Sequence, residues 1–117
     1  METVLYQHES NGEYTGIYAK MESGKLVITR QDLGEFEKEY SKDGEVESFV
    51  ILDEPNTLRL MNALQATSEQ KLFAMLKKRF KKYGSGINRG IGSYCDKHGI
   101  KYQKQTYYWK RDGFPCQ

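Results

Sequence analysis

The sequence predicts an α+β fold in which an antiparallel sheet of about five strands, an N-terminal meander plus a C-terminal strand, packs against two or three helices. Three observations predict it. The first fifty or so residues alternate apolar and polar side chains between tight-turn pairs, as half-buried strands do. From about residue 54 to 98 the apolar period changes to 3.6, and the segment after that regains the Tyr, Thr and Trp content of a strand. Strands first, helices next and a returning strand suit a single domain over residues 1–117, and a chain of this length buries about two thirds of its unfolded surface.

VLYQHES and EYTGIYAKM flank Asn11-Gly12, the pair favoured in a two-residue type I′ turn because both central residues need positive φ. Ser23-Gly24 makes a second turn into KLVITR, where Leu26 and Ile28 face away from Val27 and Thr29. Residues 31–45 carry no apolar period and finish on the turn pair Asp43-Gly44, so they read as an acidic connection with room for one helical turn. VESFVIL is a fourth strand, and its continuous apolar end places it inside the sheet.

Asp53 is the expected N-cap of a first helix, with Pro55 in its first turn and Leu58, Leu60, Met61 and Leu64 as its apolar stripe. Thr67-Ser-Glu-Gln70 fits a capping box at the start of a second, on which Leu72, Phe73, Leu76, Phe80 and Tyr83 recur before Gly84 stops it. Ile87, Ile91, Tyr94 and Cys95 share one face of a third, whose Gly90 and Gly92 cost about 1 kcal/mol each relative to Ala unless they permit close packing. Gly99 ends it, IKYQKQTYYW is the fifth strand, and RDGFPCQ reads as a tail.

No catalytic signature is found, so a non-enzymatic protein is expected. GSGINRG follows a helix and matches neither a P-loop nor a dinucleotide fingerprint. Cys95 and His98, three residues apart, make half a zinc site, with only Cys116 and His8 left to complete it; the preferred reading is a buried thiol and a histidine that favours the helix C-terminus. No cofactor and no metal are expected. The two cysteines lack the density of a disulfide scaffold, no apolar run reaches the ~18 residues of a membrane span, and the first residues have no leader pattern. A cytoplasmic protein with no membrane partner is expected.

Charge is divided along the chain. Residues 1–57 hold thirteen acids against five bases, and residues 58–117 three acids against thirteen bases. The second helix gathers Lys71, Lys77, Lys78, Arg79, Lys81 and Lys82, more than the helix dipole favours and without the acids that usually interleave at i, i+4. Together with Arg89 these are the candidate partner-binding residues. Two classes of partner fit. A protein partner of complementary charge makes this an immunity-protein or enzyme-inhibitor type of molecule, monomer or homodimer, with the acidic Glu35, Glu37 and Glu39 as a second contact. Nucleic acid is the alternative, bound by helix 71–82 with Lys104, Tyr83, Tyr107, Tyr108 and Trp109 nearby. The pI near 8.4 and the acidic first half favour the protein partner.

Overall fold

Alternating residues of the first half build a sheet, and the 3.6-periodic residues of the second lie across one side of it. The computed structural model describes residues 1–34, 41–110 and 115–116. Along the chain run β1 (Glu2–Ser10), β2 (Glu13–Glu22), β3 (Lys25–Leu33), β4 (Ser41–Leu52), α1 (Glu54–Ala63), α2 (Glu69–Phe80), a 3₁₀ segment (Lys81–Gly86), α3 (Ile87–Lys97), β5 (Gln103–Lys110) and β6 (Pro115–Cys116). The sheet order is β1-β2-β3-β4-β5-β6, antiparallel throughout. The α+β fold is therefore the expected one, with five long strands and a two-residue sixth. Its helices form two units: α1, and α2 joined to α3 through the 3₁₀ segment.

Both meander turns follow from their chemistry. Asn11 and Gly12 have φ of 53° and 79°, and Ser23 and Gly24 have 51° and 78°, the paired left-handed conformations of a type I′ turn. The resulting register stacks Ile28 between Ala19 and Val50, and Leu26 between Met21 and Leu52. Those side chains and Ile17 are buried against Leu60, Leu72, Leu76, Ile87, Ile91 and Cys95 of the helices. The opposite side of the sheet carries Tyr14, Tyr18, Val27, Thr29, Phe49 and Ile51, all half-buried, and no helix among the described residues packs its core face there.

α1 is anchored by polar groups as much as by apolar ones. The Asp53 carboxylate caps it by accepting from the Asn56 N–H at 3.0 Å and from the Asn56 amide at 2.8 Å, and these bonds hold its pKa below the usual carboxylate value. Thr57, 1% exposed, accepts from Leu26 N–H and donates to Leu52 C=O, tying the helix to β3 and β4. Asn56 and Thr57 take inward positions beside Leu60 and Leu64, and that turns Leu58 outward to 55% exposure, so the expected stripe is corrected at Leu58.

Further corrections concern boundaries. β3 and β4 extend into residues 31–33 and 41–45, where a connection was expected. There the pairing rests on backbone and polar bonds, including Gly34 N–H to Gly44 C=O at 3.0 Å and Gln31 to Glu45 at 3.0 Å, which apolar periodicity does not register. Gly44, with φ of 73°, lies inside β4 where its register against β5 shifts, so Asp43-Gly44 marks an irregularity in a strand and not its end. The cap of α2 is Ser68, accepting from Lys71 N–H at 3.1 Å, in place of Thr67. α2 ends at Phe80, so Lys81, Lys82 and Tyr83 belong to the 3₁₀ segment and Tyr83 is 47% exposed. Pro115 and Cys116 pair with β5 where a tail was expected. Glu35, Glu37 and Glu39 lie outside the described residues, as do the side chains of Tyr108, Trp109 and Cys116.

Candidate functional site

The basic helix is shaped by its own apolar residues. Leu72, Phe73, Leu76 and Phe80 recur every three or four positions and are buried, which forces Lys71, Lys77, Lys78 and Arg79 to the outside, with Lys81 and Lys82 continuing the surface beyond the helix end. Lys77 and Lys81 are four residues apart, as are Lys78 and Lys82. These neighbouring cations, running from α2 into the 3₁₀ segment, raise the local positive potential. None of these six cations is in an ion pair among the described residues, where the ion pairs are Lys20–Glu22 and Arg30–Asp32.

Two of the six face a cleft where α2 meets α3. Arg79 and Lys82 line it together with Tyr83, Tyr94, Lys97 and His98, and its volume is about 540 Å3. No carboxylate among the described residues lines it. The Arg79 guanidinium lies 4.9 Å from the centre of the Tyr94 ring, and Lys82 Nζ lies 5.5 Å from that of Tyr83. Behind the rings Phe80 meets Tyr94 edge-on at 5.5 Å, and Tyr94 stacks on His98 at 4.2 Å. The cleft depends on Gly90: a Cβ there would stand 2.7 Å from the Tyr83 ring. The helix glycines thus serve close packing, as the sequence suggests.

Arg89 is not part of that surface. It lines a groove between α3 and the sheet with Ser48, Asn88, Asp96, Lys104 and Thr106, so the fold brings Arg89 and Lys104 together and separates both from the α2–α3 cleft. The groove is electrostatically mixed. Asp96 accepts from the Tyr102 hydroxyl at 3.1 Å, and burial with that bond pushes the Tyr102 phenol up. At the groove's end Arg30 donates through Nε to Asp32 at 2.9 Å and through a terminal nitrogen to Ser85 C=O; Thr15 donates to the other Asp32 oxygen at 2.8 Å. The glycine run is therefore a joint: Gly84 reverses the backbone at φ 53° and ψ −126°, and Ser85 is fastened to β3 by Arg30.

Cys95 and His98 diverge. Cys95 is a free thiol, fully buried in the core, and burial with the neighbouring Asp96 charge pushes it up to about 11. His98 is exposed at the helix end on the Tyr94 ring. This is the preferred arrangement of a buried thiol and a C-terminal histidine: Cys95 belongs to the core, and α3 ends at His98, where the chain turns at Gly99 with φ 66°. No group of three His, Cys, Asp or Glu residues that could hold a metal occurs among the described residues.

Sequence reasoning finds Arg79 and Lys82 but misses Lys97 and His98 as their neighbours. The available signal is Gly90 inside an otherwise helical pattern, which marks a close approach by a neighbouring side chain, here Tyr83. No helix among the described residues is long and apolar enough to cross a membrane. No family model matches this chain, and no curated protein or solved structure is found to be similar to it.

Proposed function

We propose that this chain is a small non-enzymatic binding protein of the immunity or inhibitor type, acting in the cytoplasm as a monomer or homodimer, that docks its basic helix face on an acidic surface of a protein partner. One observation carries the reading: Lys71, Lys77, Lys78, Arg79, Lys81 and Lys82 are all exposed, and none meets an acid among the described residues. Like charges crowded on one exposed face repel one another, so a surface kept in this state is relieved when a partner brings carboxylates. The acidic residues of the first half supply the contrary field that repels a long phosphate backbone.

The test is reversal of Lys77, Lys78 and Lys81 together to Glu. The fold should persist, with unchanged circular dichroism, and the protein captured from native lysate by the parent chain should be lost or recovered at least about tenfold less efficiently. Capture unchanged by the reversal removes the helix face from the reading.

Nucleic acid is the second reading, supported by rings that stand beside cations at Tyr83 and Tyr94. Anisotropy of labelled oligonucleotides distinguishes it. Binding that survives near-physiological salt and falls linearly on a log-log salt plot replaces the protein partner with a polynucleotide.

A further inference from the structure

The cation-lined cleft holds two kinds of group. Arg79, Lys97 and His98 supply N–H donors, and Tyr83, a residue 47% exposed, supplies a ring. The helix dipole accounts for one or two cations at a C-terminal end and for no particular arrangement around rings. Here Arg79 is held over Tyr94 without any carboxylate, so the ring positions the guanidinium while its N–H groups keep no ionic partner among the described residues. Tyr94 is itself fixed by His98 at 4.2 Å, by Phe80 edge-on and by a 3.4 Å hydroxyl bond to Ala63 C=O. Tyr83 leans on α3 at Gly90, which keeps its ring beside the cations.

We infer that this cleft is a binding site for a mononucleotide, its phosphate held by Arg79, Lys82 and Lys97 and its base laid against Tyr83. The chemistry asks for both parts. Several cations without an acid select an anion, and a planar guanidinium suits a phosphate's oxygens in pairs. An open aromatic ring in the same cleft adds nothing to inorganic phosphate but stacks on a base. The volume of about 540 Å3 lies within the range of small-ligand sites, about 300–1,000 Å3. Lys82, now 5.5 Å from the Tyr83 centroid, has the reach to leave the ring as a base arrives. The cleft shares Arg79 and Lys82 with the proposed partner face, but Lys77, Lys78 and Lys81 do not line it, so their reversal tests the partner reading separately.

The experiment titrates the 15N-labelled full chain with AMP, inorganic phosphate and a ten-residue oligoadenylate at near-physiological salt, following amide shifts. AMP should saturate, with shifts confined to residues 79–83 and 90–98, and should bind about tenfold more tightly than inorganic phosphate through base stacking. Arg79→Gln should weaken AMP and phosphate alike, whereas Tyr83→Ala should bring AMP down to the level of phosphate and leave phosphate unchanged. Lys20→Gln, on β2 and outside the cleft lining, should alter neither. Equal affinity for AMP and phosphate, no saturation, or shifts spread along all of α2 would overturn the site. An oligoadenylate bound more tightly per molecule than AMP would overturn the mononucleotide and assign the cleft to a strand. If AMP fails while the Lys77, Lys78 and Lys81 reversal still abolishes partner capture, only the nucleotide site falls.

Discussion

Cys95 shows how far one side chain's position can settle its chemistry. A free thiol near pH 8 is partly thiolate and reacts at once, but this one is wholly buried and is pushed up to about 11 by lost hydration, with the Asp96 charge adding to it. In a Cys116→Ser chain, Ellman's reagent at pH 8 should therefore release almost no colour until denaturant is added. Rapid labelling of the native protein would show that α3 opens locally far more readily than its packing implies. The burial of Cys95 was legible in the sequence because Ile87, Ile91 and Cys95 recur at helical spacing. The orientation of His98 was not, since it depends on where α3 stops and on the Tyr94 ring it meets.

Among the elements, α1 depends on Thr57 in a way its hydrophobic pattern hides. The Thr57 hydroxyl serves a β3 amide and a β4 carbonyl at once, in a position no water reaches. Thr57→Val keeps the shape and leaves both groups unpaired, so urea unfolding should show a loss of about 1–3 kcal/mol. Thr57→Ser should recover most of it. Sequence reasoning placed the stripe on Leu58 because it counts apolar letters, and a buried threonine with both bonds satisfied is invisible to that count. α2 is the opposite case. Leu72, Phe73, Leu76 and Phe80 made its buried face readable from periodicity alone, and with it the outward direction of every cation. What stayed hidden was the cleft, because Lys97 and His98 come from another helix and reach Arg79 and Lys82 only through tertiary packing.

Across the whole molecule, the fold was legible wherever a residue type is tied to a backbone need, as at Asn11-Gly12 and Ser23-Gly24, or wherever one face is dry. It was not legible at the far ends of β3 and β4, where Gln31, Asp32 and Glu45 are polar on both sides of the sheet and alternation carries no signal. The sheet keeps chain order, yet all three α-helices are inserted between two neighbouring strands. β2 and β3 are joined by a two-residue turn, whereas Ile51 waits for Gln103, about fifty residues on, and that closure costs more entropy before any contact offsets it. Stopped-flow kinetics should thus find that Gly24→Ala, in the β2–β3 turn, slows refolding, while Thr106→Ala on β5 chiefly speeds unfolding. The same order governs synthesis. Leu26, Ile28, Val50 and Leu52 leave the ribosome before the helices that cover them, so the nascent chain carries a bare apolar sheet until residues 54–97 have followed, a window in which a holdase chaperone would find its substrate.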